Sequence, residues 1–203
     1  MRTPIAAFLV LALTVSACSD STGPEGDRLD RAEALQLAAQ VLASSEGAAA
    51  ASMSTSVADV PEGAAAPTEF TIEHESTHPC PSAGQVAVDF VLNGSFDEET
   101  KALQAELAGS QVHTGCAFPH DGATLTVSGE PSVAFAASVG AVDGVPSQPF
   151  TFSLDGVLRW GSSDGRSGLC ELSLAAVTDF AAQQRTVQGA ICGHTIDQTL
   201  SWN

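Results

Sequence analysis

Three hydrophobic textures follow one another along the chain. Residues 5–17, "IAAFLVLALTVSA", form a single uncharged apolar run. Residues 28–46 change to a helical period. Leu35, Ala38, Ala39 and Leu42 fall on one stripe, Asp30 and Glu33 have capping-box spacing, and Gly47 offers a stop. From Glu69 to Asn203 the period drops to two. Val133, Phe135, Ala137 and Val139 share one face of a strand. Phe150, Phe152, Leu154, Leu158 and Trp160 share another, opposite Ser153, Asp155 and Arg159. Strands are predicted over residues 70–78, 85–94, 123–129, 132–140, 149–161, 169–177 and 185–196. Turns are predicted at Asn93-Gly94, Asp121-Gly122, Asp143-Gly144 and Asp164-Gly165. Residues 47–68, rich in Ala, Ser and Gly, read as a low-complexity linker, with a helix continuing at most to about Ala51.

One apolar face per strand and short connections predict antiparallel neighbours. The fold class is therefore mostly β: an antiparallel meander of about 8–9 strands over residues 69–203, forming a barrel or sandwich, with one N-terminal α-helix. A weak repeat supports hairpins. "SFDEETKALQAEL" (residues 95–107) resembles "DFAAQQRTVQGAI" (residues 179–191), matching Phe96 with Phe180 and Lys101 with Arg185. Local propensity would make 97–108 a helix instead, but Thr186 and Val187 in the second copy argue for strand.

The N-terminal run is too short to cross a bilayer core, which takes about 20 residues. Arg2 precedes it and "SDSTGPEGD" follows, the layout of an export signal. At its end Val15-Ser16-Ala17-Cys18 places an aliphatic residue and two small ones before a cysteine, and this resembles the lipobox of bacterial lipoproteins. The resemblance covers only the first twenty or so residues. It implies that residues 1–17 are removed, that Cys18 carries lipid and becomes the N-terminus, and that residues 18–27 are a tether. Ser19 after the cysteine, in place of Asp, implies an outer-membrane destination within the cell envelope.

With Cys18 committed to lipid, four cysteines remain, an even number in an oxidising compartment. If residues 179–184 turn a hairpin, Cys170 lies almost opposite Cys192, and the equivalent hairpin brings Cys80 near Cys116. Matching the apolar faces, Leu172 with Ile191, leaves Cys170 one residue out of register. Bulges near Gly193 and Gly115 are therefore expected.

Charge narrows the function classes. Seven Lys and Arg stand against 24 Asp and Glu, a net charge of −17 that becomes −18 when Arg2 leaves with the signal. Such a surface repels nucleic acid and anionic headgroups, so the membrane is reached only through the lipid. There is no G-x-S-x-G, Ser167 falls in a turn, and no glycine-rich phosphate loop follows a strand. No catalysis and no cofactor are expected. His74, His78, His113 and His194 lie near the cysteine-bearing segments and are the candidate metal ligands. Their spacing fits no ligand motif, and no metal is expected. The Phe150, Phe152 and Trp160 face is the candidate ligand surface. An open cavity there favours a module that binds a small molecule or protein partner, and complete filling favours a structural surface lipoprotein.

Overall fold

The computed structural model describes residues 27–56 and 67–202, with the side chains of the helix described as far as Ser44. The lipobox-like residues, the expected signal and nearly all of the expected tether lie outside the described residues. Helix α1 (Arg31–Ser56) is followed by β1 (Thr68–Pro79), β2 (Ala83–Asp97), β3 (Ala102–His120), β4 (Ala123–Val142), β5 (Val145–Pro146), β6 (Phe150–Ser162), β7 (Ser167–Asp179), β8 (Gln184–Ile191) and β9 (His194–Ser201). All strands belong to one antiparallel sheet in the order β1-β2-β3-β4-β6-β7-β8-β9, with β5 paired to β4.

The meander is the expected one, and the sheet stays open, with β1 and β9 as its edges. It neither splits into a sandwich nor closes hydrogen bonds around a barrel. Helix α1 touches β1, β2 and β3 and also β8, so both flanks of the sheet reach the same helix. The sheet therefore curls, with α1 on its concave side. A single sheet with one apolar face needs a cover, and the helix is that cover rather than an element set apart from the β domain. Leu29, Ala34, Leu37, Ala38 and Val41 are buried in one core with Val86, Val88, Leu125, Val127, Leu158 and Ile196. The buried stripe is rotated from the predicted one: Leu35 and Leu42 are half-buried and Ala39 is exposed. The helix also begins and ends later than residues 28–46 and runs through Gly47. Its start is a capping box, with the Glu33 N–H donating to Asp30 Oδ1 at 2.9 Å and the Asp30 N–H to Glu33 Oε2 at 2.8 Å.

Three of the four turn dipeptides turn the chain. Asp121-Gly122 and Asp143-Gly144 take positive φ at both positions, as two-residue hairpin turns require, and Gly165 does so in the β6–β7 turn. Asn93-Gly94 instead lies inside β2. A Cβ at Gly94 would sit 2.4 Å from the Phe70 ring, so this glycine makes room for a cross-strand aromatic. Residues 123–129 and 132–140 are one strand, β4, with a register shift between Gly129 and Val133. Residues 185–196 are two strands, β8 and β9, folded back at Cys192-Gly193.

Residues 102–108 are strand, and both repeat copies form the same turn. Asp97 Oδ1 accepts from the Glu99 and Thr100 N–H groups, Asp179 Oδ1 from the Ala182 N–H. Lys101 and Gln183 close the two turns at φ 53°. The true equivalence is thus Asp97 with Asp179, two residues from the sequence match. A slip of two keeps every side chain on its face, which is why the offset was invisible in the apolar pattern.

Cys80 and Cys116 are bonded with Cα atoms 5.4 Å apart, and Cys170 and Cys192 with Cα atoms 4.3 Å apart. The first uses a bulge at Gly115, where Gln85 pairs with Thr114 but Ala83 with Ala117. The second needs none. Leu172 pairs with Ile191, and Cys192 (φ 49°) and Gly193 (φ 81°) form the tight turn beyond it. The Cys192 N–H donates to the Glu171 carbonyl at 2.8 Å, and the left-handed backbone supplies the missing residue of register.

Candidate functional site

Both disulfides, the start of α1 and the turns β3–β4, β6–β7 and β8–β9 gather at one end of the sheet. Residues 27–36 cross that end as a collar. The Asp27 N–H donates to the Ser167 carbonyl at 2.9 Å. His194 Nε2–H donates to the Leu29 carbonyl at 2.9 Å, and Arg31 donates to the Thr195 carbonyl at 3.1 Å. Gln36 Nε2 donates to the Pro119 carbonyl at 2.8 Å, and its Oε1 meets His120 Nδ1. Glu33, only 4% exposed, takes both terminal nitrogens of Arg166, whose Nε bonds Asp164 at 2.8 Å. The Arg166 guanidinium beside Glu33 holds its carboxyl below the usual range.

Above the collar a half-open cavity of about 270 Å³ lies between α1 and strands β1–β4. Leu37, Val41, Val86, Phe118 and Val127 supply its apolar walls, and the Cys80–Cys116 bond borders it. Among the described residues its polar groups are few: Gln40 and Ser44 from the helix, His78 and His113 from the sheet. Strand pairing puts His78 opposite Val86 and Val86 opposite His113, so the two imidazoles flank one valine in a single cross-strand row. His78 is exposed, its Nε2 3.1 Å from Ser76 Oγ. His113 is 4% exposed, and among the described residues its Nδ1 has no hydrogen-bond partner. Burial without a compensating charge pushes its pKa down to about 4, so the ring is neutral near pH 7.

The remaining candidate residues go elsewhere. His74 stacks on Phe90 with ring centroids 4.9 Å apart, and His194 is spent on the collar. Only His78 and His113 share a cavity, and among the described residues no group of three or more His, Cys, Asp and Glu could hold a metal ion. Phe150, Phe152 and Trp160 do lie on one side of β6, but Phe152 and Trp160 are buried. Phe152 stacks against Phe135 at 6.1 Å and Phe150 at 6.4 Å, in an aromatic row that continues through Phe90 to His74. The row crosses β3 at Gly109, where a Cβ would come 2.4 Å from Phe90 Cβ and 2.9 Å from the Phe135 ring. This face is filled core, not an open ligand surface.

The cavity was missed in the sequence because it exists only once α1 is seated. One signal was there: Gln111 and His113 continue the inward alternation of Ala105 and Leu107. No known protein family, curated protein or solved structure matches the chain.

Proposed function

We propose that the chain is a lipid-anchored protein of the bacterial cell envelope, held through Cys18, whose β domain works by binding rather than by catalysis. The observation that carries the binding role is the lining of the cavity beside His113. Among the described residues it holds two imidazoles but no carboxylate to orient either one, and no Lys or Arg to stabilise developing charge. The one hydroxyl among its described residues, Ser44 Oγ, donates to the Gln40 carbonyl of its own helix, and its cysteines are tied in a disulfide. The anchoring role rests on the lipobox-like Val15 to Cys18, and two disulfides fit an oxidising compartment. Asp27 lies nine residues after Cys18, a reach of at most roughly 30 Å. Anchoring would therefore keep the collared end nearest the bilayer. A structural role without a ligand is the second reading, favoured by the filled aromatic row.

Cys18→Ser should release the protein from the detergent phase to the soluble envelope fraction; unchanged partitioning would remove the anchor. Native mass spectrometry of the protein taken from its own envelope should show a retained small molecule. A bare, lipid-bearing chain would favour the structural role.

A further inference from the structure

We infer that the cavity beside His113 takes a small uncharged molecule, with an apolar body of about two fused rings and one hydroxyl that hydrogen-bonds the His113 imidazole. This rests on the binding role proposed above and specifies its ligand. Size comes first. A closed apolar cavity of about 150 Å³ accommodates benzene, and the 270 Å³ here is nearly twice that. Charge comes second. Among the described residues no cation lines the cavity to receive a carboxylate, and the chain as a whole is strongly acidic. Among the described residues no carboxylate lines it to receive an ammonium group, so a charged ligand would lose its hydration without replacement. Polarity comes third. His113 Nδ1 is buried without a partner, and a neutral imidazole carries one N–H and one lone pair. A hydroxyl both donates and accepts, so it satisfies the ring in either tautomer.

The test uses the full, disulfide-intact protein and three probes of one shape: 2-naphthol, naphthalene and 2-naphthoate. Calorimetry, or amide shifts in NMR spectra, reads their affinities. The expected order is 2-naphthol tightest, naphthalene about tenfold weaker for want of one hydrogen bond, and 2-naphthoate not bound. His113→Phe keeps a flat aromatic ring, somewhat larger, and removes both ring nitrogens. It should bring naphthol and naphthalene to equal affinity, while His113→Gln keeps part of the preference. Equal binding of the two neutral probes to the wild type, or a preference that survives in His113→Phe, would overturn the hydroxyl inference and leave the binding role standing. If none of the three probes binds, the cavity is not a binding site and both conclusions fall.

Discussion

At the end of the sheet where β3 turns into β4, β6 into β7 and β8 into β9, the chain is cross-linked to itself in several independent ways. Two disulfides close there, the collar from Asp27 to Gln36 ties the helix to three turns, and Glu33 is sealed under Arg166. At the opposite end the hairpins are closed by their own turns. Asp97 and Asp179 cap local N–H groups, and Lys101 and Gln183 take left-handed conformations. Val142, Val145, Val177, Phe180, Leu200 and Trp202 are exposed there. Both ends come from the same alternating strands, so strand formation does not explain the difference. An open, curled sheet has no closing ladder between β1 and β9 to hold its flanks together. Covalent and helix-mediated links do that work, and they are concentrated where the chain leaves for its N-terminal segment. Stability should therefore be graded along the strands, highest at the collared end.

Cutting the disulfides tests this gradient hardest. Each closes a loop of a few dozen residues, 36 for Cys80–Cys116 and 22 for Cys170–Cys192 in sequence separation. Loop entropy then gives about 3–4 kcal/mol for each. Replacing either pair with alanine should lower the urea-unfolding free energy by about that amount. Removing both should leave little of the ~5–15 kcal/mol typical of a domain. A loss below about 1 kcal/mol for Cys80→Ala/Cys116→Ala would mean that the helix alone holds the flank at β1–β3.

Much of this was legible in the sequence, and the failures have a common cause. Alternation identified the strands, and it matched Leu172 with Ile191, the register that forms. Cysteine parity and hairpin logic led to both disulfides. What the sequence did not disclose depends on contacts between distant elements. Asn93-Gly94 has the chemistry of a turn, but the Phe70 ring on β1 needs the space above Gly94. The stripe on α1 was read one position off because the curled sheet meets the helix on the face of Ala34, Leu37 and Val41, which are the most deeply buried. Phe152 was open to a reading as core or as ligand surface until the aromatic row filled the space between it and β1. The role of His113 required knowing that α1 roofs its strand.

The next largest effect belongs to acid. His113 is neutral in the fold, with a pKa of about 4 against 6.5 for a free side chain. Below pH 6.5 the unfolded chain takes up a proton that the folded chain refuses, so the unfolded state gains. The contribution is intact above pH 6.5, declines as pH falls and is spent near pH 4. A shift of this size corresponds to about 3 kcal/mol. Glu33 acts in the same direction at lower pH. Its carboxyl is held down chiefly by Arg166, so its stabilisation is present above the ordinary carboxylate range and is lost on further acidification. His113→Phe should flatten the slope between pH 6.5 and 4 and leave the lower decline in place. If the variant keeps the wild-type slope over that interval, His113 is solvated and the cavity is wet.

The smallest effect is expected at the open end. Asp179→Ala removes the acceptor for the Ala182 N–H at 2.9 Å in an exposed turn. Water can replace an exposed hydrogen bond, so the loss should not exceed about 1 kcal/mol. The β7–β8 turn also has a second support, since the Trp202 N–H donates to the Gln183 carbonyl at 3.2 Å. In native-state hydrogen exchange, the wild type should show β7 and β8 amides near this turn opening at lower free energy than amides of the same strands near Cys170 and Cys192. Asp179→Ala should speed exchange only at the open end. If it speeds exchange equally beside the Cys170–Cys192 bond, the two ends unfold as one unit and the graded stability argued from the collar is wrong.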